Sequence, residues 1–207
     1  MTSRTEAPSH KERLLREGMR QIYASGFHGT TVDRVLEQSG VPKGSFYHHF
    51  GSKESFGSAV LSRYMQYQFE LLDRWMPRTD LTTTEKLVGY FEEMVHRFVR
   101  SGFQRACLVG KMSTEVAATS EVFRTQLDED LRLWKSRLVA VLEEGQQKGD
   151  IRTDRTSSEL ADGVLALIQG AFVIALSTHD EASLSSITYT IPMLIDTSPR
   201  TPADSRP

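Results

Sequence analysis

The sequence predicts an all-α protein, with a three-helix module of helix-turn-helix form at the N-terminal end and a larger C-terminal helical bundle. Three observations carry that expectation. From residue 10 onward apolar residues recur three and four apart, the spacing that lines one face of a helix, and strict alternation is almost absent. Glycines, prolines and capping hydroxyl residues punctuate this pattern at helical intervals. Hydrophobic residues make up 39% of the 207, enough for a sizeable core at a length that allows one domain or two small ones.

Leu14, Leu15, Gly18, Ile22 and Tyr23 make one face of a first helix, which stops near Gly26, a residue that adopts the left-handed conformation at little cost. Thr30 or Thr31 caps a second, short helix; its Val32, Val35 and Leu36 face inward and Gly40 ends it. Pro42 suits the first position of a third helix, where its missing N–H would have no intrahelical partner. That helix carries Phe46 and Phe50 one turn apart and closes at Gly51. A long helix runs from Ser52 to Trp75 and ends in MPRTDLTTTE, where Pro77 breaks the pattern and the threonines supply caps. Further helices are expected at 84–100, 105–118, 121–147, 155–178 and 181–195. The organisation read from this is a flexible arm at 1–9, a helix-turn-helix domain at 10–53, a helical domain at 54–196 and a flexible tail at 197–207.

The formal net charge of -2 speaks against a polycationic coat protein but leaves room for a local nucleic-acid site. Cys107 is the single cysteine, so an internal disulfide framework is excluded and a thiolate zinc site cannot be built from it alone. The adjacent His48 and His49 diverge on a helix and have no evident third ligand, so neither metal nor cofactor is expected. No apolar run is read as approaching the ~20 residues of a membrane span, and the first residues lack the hydrophobic core of a leader, which gives the expectation of an intracellular protein without a membrane partner.

Residues 30–54, TTVDRVLEQSGVPKGSFYHHFGSKE, read as a capped helix, a tight glycine-containing turn and a second short helix. Val32, Val35, Leu36, Val41, Phe46 and Phe50 hold the two helices together. Lys43, Gly44, Ser45, Tyr47 and His48 are left on the other side, free to enter a DNA major groove. The charges follow the same division: residues 1–55 hold eight Lys or Arg against six Asp or Glu, and residues 56–207 hold seventeen against twenty-one. A mildly basic head thus precedes an acidic body.

The string VPKGSFYHHFGSKE preceded by TTVDRVLEQSG closely resembles the DNA-binding module of TetR-type transcriptional repressors over about residues 10–58. The helical layout of the remainder is similar to that family's ligand-binding and dimerising part. The resemblance implies that Lys43, Gly44, Ser45, Tyr47 and His48 face bases or adjacent sugar-phosphate and that His49 meets a phosphate. It also implies phosphate anchoring by Lys53 at the start of the following helix, and by Thr30 and Thr31 at the second. Further implications are a double-stranded operator, a small-molecule effector, a cytoplasmic homodimer and no catalytic residues. The dimer would form through about 155–178 and 181–195, where Gly163, Ala166, Gly170 and Ala171 permit close helix approach. Two other classes stay open: an enzyme using Cys107 against electrophiles, and an architectural DNA-binding protein.

The segment RACLVGKMSTEVAATSEVFRTQL, taken with VPKGSFYHHFGSKESFGSAVL, is similar to the subgroup that answers reactive electrophiles or small unsaturated acids such as acrylate, in which Gly-Cys-Leu opens the sixth helix. Ala106 stands here in place of that glycine. Cys107 falls at an expected helix N-terminus between Arg105 and Lys111, surroundings that favour the thiolate. The other expected sensor residues are Met94, Phe98, Met112, Glu115, Trp134, Gln169 and Phe172. Met and aromatic stripes at helical spacing are usually plain core, and a lone cysteine before Leu108 and Val109 is more often a buried, inert hydrophobe. Glu115 and Gln169 are more telling, because inward polar groups need partners.

Overall fold

A computed structural model describes residues 8–197, so the outermost arm and tail, 1–7 and 198–207, lie outside the described residues. Among those described there is no strand, and nine helices follow in order. They are α1 (His10–Gly29), α2 (Val32–Ser39), α3 (Lys43–Phe50), α4 (Lys53–Trp75), α5 (Thr83–Arg100), α6 (Leu108–Val116), α7 (Glu121–Lys148), α8 (Ser157–Thr178) and α9 (Ala182–Ile195). The fold is all-α, with the expected helix-turn-helix head and helical body. The chain gathers into two compact units: residues up to Gln68 with Cys107–Glu129, and Phe69–Ala106 with the residues from Asp130 on. α4 and α7 each contribute to both.

In the first unit α1, α2 and α3 close over an aromatic centre. Phe46, Phe50 and Phe56 meet with ring centroids 4.9 to 5.4 Å apart, and Phe27 meets Phe123 edge-on at 4.8 Å. Burying such rings with Leu14, Ile22, Val35 and Val41 supplies most of the drive to fold this small module. α1 passes so close to Phe56 that a Cβ at Gly18 would lie 2.3 Å from its ring. Thr31 caps α2 by accepting from the Arg34 amide at 3.3 Å, and Gly40 ends α2 in the left-handed region. The Arg13 guanidinium donates to the Ser39 carbonyl, fastening the end of α2 to α1.

α1 departs from its expected end. It breaks at Gly26 (φ 76°, ψ 172°) but resumes for another turn to Gly29. Pro42, expected as the first residue of α3, is instead its cap, since its ψ of 143° is extended. α6 begins at Leu108 rather than near 105, with Cys107 as its cap. The delay has a local cause: the Ser101 hydroxyl accepts the amides of Gln104 and Arg105 at 3.2 and 2.9 Å, which holds the chain in a turn.

The second unit is built around α5, α8 and α9. Phe98 of α5 meets Phe172 of α8 edge-on at 5.3 Å. α5 and α8 both start on complete capping boxes, Thr82 with Glu85 and Thr156 with Glu159. Phe103 and His179 both have positive φ, 59° and 52°, and their rings stack on each other at 5.5 Å. One sequence expectation needs correction here. α8 is, by length and composition, apolar enough to cross a membrane, because the charges of its first turns are followed by an uninterrupted apolar and small-residue stretch. Its Leu160, Val164, Ile168, Phe172 and Ala175 are nevertheless buried within this unit.

Candidate functional site

The helix-turn-helix places the predicted DNA-facing residues unevenly. Along α3, Phe46 and Phe50 turn into the core while Lys43, Gly44, Tyr47, His48 and His49 are exposed. Tyr47 leaves 48% of its surface free even though its ring leans edge-on against Phe46 at 5.4 Å. A Cβ at Gly44 would meet nothing within 4 Å. Lys43 reaches Asp33 of α2 at 3.6 Å, but both side chains are well exposed, so a phosphate can take the ammonium over at little cost.

Three other predicted contacts are engaged inside the protein. Ser45 is half-buried, and its hydroxyl lies 3.2 Å from Nδ1 of His10 at the start of α1. Thr30 is buried and donates its hydroxyl to the Gly26 carbonyl at 2.7 Å, whereas Thr31 is exposed at the start of α2. Lys53 donates to the His28 carbonyl at 3.2 Å and holds its ammonium 4.7 Å from the centre of the Phe27 ring. Burial pushes the Lys53 pKa down from its ordinary value, and the Glu115 carboxylate pulls it partly back up.

Among the predicted sensor residues, Cys107, Met112 and Glu115 belong to the first unit; Met94, Phe98, Trp134, Gln169 and Phe172 belong to the second. Cys107 caps α6 and is only 4% exposed, and Met112 is fully buried below it on the same helix. Glu115 does find the partners that an inward carboxylate needs: it accepts the backbone amides of Phe27 at 2.9 Å and His28 at 2.7 Å. Of the second group, Met94, Phe98, Trp134 and Phe172 are buried and Gln169 is half-buried, with contact between Phe98 and Phe172. The Trp134 indole N–H is buried without an acceptor among the described residues. An open depression where α7 ends and α8 begins is lined by Glu143, Gln146, Asp154, Arg155 and Glu159, and includes none of the predicted sensor residues.

The sequence reading gave no role to His10 or Asp33 and did not foresee the carboxylate that meets the chain beside Gly26. His10 and Asp33 act on α3 across 35 and 10 residues of chain, a pairing without local periodicity to betray it. Gly26 was recognisable as a helix breaker, but its carboxylate partner lies almost ninety residues downstream.

Residues 14–60 match the family described as bacterial regulatory proteins, tetR family, and residues 83–191 match the tetracyclin repressor-like C-terminal domain. The transcriptional regulator AcuR of Cereibacter sphaeroides is 32% identical over 177 residues, covering 86% of this chain and 81% of that protein. The transcriptional repressor DhaR of Mycobacterium sp. strain GP1 is 31% identical, with 79% of this chain and 80% of that protein covered. Among solved structures, a TetR regulatory protein of Rhodobacter sphaeroides is 31% identical with a TM-score of 0.83, covering 88% of this chain and 97% of that one. The reduced form of Escherichia coli NemR is 28% identical with a TM-score of 0.83, covering 93% and 99%.

Proposed function

The chain belongs to the TetR family of bacterial regulatory proteins, DNA-binding transcriptional regulators rather than enzymes, and we propose on that footing that it is a cytoplasmic, homodimeric repressor released from a two-fold operator by a small molecule. The observation that carries this reading is the division of α3: two phenylalanines anchor it while Lys43, Gly44, Tyr47 and His48 stand outward, engaged among the described residues only by the exposed Lys43–Asp33 pair and by edge-on ring contacts of Tyr47 with Phe46 and His48 with His49. Those side chains enter the major groove. Thr31 and the N-terminal amides of α2 meet the flanking phosphates.

Two copies double the site. The exposed stripe Ala166, Gly170, Val173, Ile174 of α8 and the pair Tyr189, Met193 of α9 lie at helical spacing, and an apolar surface of this kind favours a second copy over water. The recognition helices of such a dimer must sit about one DNA turn apart, ~34–36 Å. An effector that binds better to a mismatched spacing lowers operator affinity by linkage.

The effector is a small, largely apolar molecule carrying a carbonyl or carboxylate oxygen. Trp134 supports this, since its buried N–H has no acceptor among the described residues and the other buried candidates of its unit, Met94, Phe98 and Phe172, are apolar. The position of Cys107 at the α6 cap supports a covalent variant, and the relative NemR has been solved in a reduced form. In that variant the Cys107 sulfur adds to the β-carbon of an unsaturated carbonyl compound and the thiol proton ends on the α-carbon.

Footprinting on the gene's own upstream region is expected to reveal a two-fold site, and a Tyr47→Ala protein that protects it equally well would refute the placement of the reading helix. Acrylate and N-ethylmaleimide are then tested for release. Loss of release in Trp134→Phe alone marks noncovalent binding; loss in Cys107→Ser alone marks the adduct. Release that survives in both variants would overturn the effector assignment.

A further inference from the structure

We infer that Glu115 is a positioning residue through which α6 sets the corner between α1 and α2, so that displacement of α6 loosens the operator-facing start of α2. The inference rests on the operator-binding reading above and adds the route by which the sensor helix reaches the DNA module.

The corner is built from backbone. At Gly26 the positive φ turns the chain out of α1, and the Phe27 and His28 amides point away from the helix carbonyls that would otherwise accept them. Consecutive amides turned out in this way form a concave anion receptor. Glu115, near the C-terminal end of α6, fills it with one oxygen on each amide, at 2.9 and 2.7 Å. A Cβ at Gly26 would lie 2.6 Å from both carboxylate oxygens, so a side chain there would push the carboxylate off the two amides in addition to straining the positive φ.

The neighbouring groups tie the receptor to the DNA-facing residues. Thr30 closes the corner by donating to the Gly26 carbonyl, and the next residue, Thr31, is the cap of α2. Lys53 brings α4 to the same place through the His28 carbonyl and the Phe27 ring, with its charge beside the Glu115 carboxylate. Three helices therefore meet at one carboxylate. Withdrawing it leaves the part-buried Phe27 amide unpaired, which is unfavourable, and gives up a charge-assisted bond to the exposed His28 amide, so the corner follows α6 instead of staying behind. α6 is a short helix with Cys107 capping its other end, and a shift there moves Glu115 with it.

The test uses the full chain and its upstream DNA. Glu115→Gln preserves size but presents an NH2 to one of the two amides. Hydrogen exchange at the Phe27 and His28 amides should rise about ten-fold and the operator Kd should rise by a similar factor, as expected for loss of a charge-assisted contact. The thermal midpoint, measured alongside, should fall by only the few degrees that one such contact is worth, and the dimeric state should not change. Glu115→Asp, which retains the charge with a shorter reach, should fall between, and it carries the comparison if the glutamine variant fails to fold. Unchanged exchange means that the carboxylate does not hold the corner in solution. Faster exchange with unchanged operator affinity, or an affinity loss that only tracks a falling midpoint, reduces Glu115 to a structural brace; either overturns the inference alone. A wild type that gives no footprint overturns the operator reading first, and the inference with it.

Discussion

Gly44 separates folding from DNA contact more cleanly than any charged neighbour. It lies in the first turn of α3, and no described residue outside its own stretch of helix comes within 4 Å of where its Cβ would be. Alanine there should leave the fold intact or stabilise it by about 0.5–1 kcal/mol, because alanine is the better helix former. A Gly44→Ala protein should therefore keep or raise its thermal midpoint while operator affinity falls, read by gel shift against wild type; undiminished affinity would mean that DNA does not approach α3 at that point. The outward residues of α3 were legible from the sequence because the buried phenylalanines set the phase of the helix. The internal engagements of Ser45 and Lys53 were not, since each depends on a ring or backbone atom brought close by tertiary packing, and that of Thr30 was hidden because its acceptor, the Gly26 carbonyl four residues back, is aimed by the break in α1.

At the scale of elements, helix starts other than that of α6 were legible to within one or two residues whether a side chain caps them or not: α9, without a side-chain cap, starts one residue from expectation. The start of α5 fell within one residue of expectation and that of α8 within two, both on Thr–Glu boxes. α6 was misjudged because its start is set by the Ser101 turn and not by its own first residues. The boxes also carry a pH signature. Backbone and hydroxyl hydrogen bonds from Thr82 and Thr156 hold the Glu85 and Glu159 carboxyls below their ordinary pKa of 4.5. A depressed folded-state pKa gives stability that is complete above 4.5 and drains away as pH falls through the folded value. The double variant Glu85→Gln, Glu159→Gln should show a shallower loss of thermal midpoint between pH 5 and 3 than wild type, by scanning calorimetry in buffers of matched ionic strength; parallel curves would deny these carboxylates a role.

For the whole molecule, the exposed apolar face of α8 and α9 predicts that assembly and DNA binding fail together. Tyr189 and Met193 leave 72% and 80% of their surface free, one turn apart on α9. Met193→Glu should give a monomer by analytical ultracentrifugation without loss of helical content, and operator affinity should drop at least about 100-fold as the second half-site contact is lost. A dimer that persists would move the contact to another face. The fold class and the sequence of helices were readable in advance from periodicity and punctuation alone. The division into units was not, because it runs through the interiors of α4 and α7, where no break in the sequence marks it.

The buried thiol at the head of α6 has a kinetic consequence. With one cysteine per chain, 4% exposed, reagents are held back until the packing around the α6 cap opens. Labelling by a fast reagent in excess would approach a ceiling set by the opening rate and independent of reagent identity, and slow reagents would report the open fraction instead. A native chain thus carries its own clock for a local fluctuation, read by mass spectrometry without any engineered probe. If Cys107 senses electrophiles, the speed of the alarm is limited by the protein's breathing and not by the potency of the toxin.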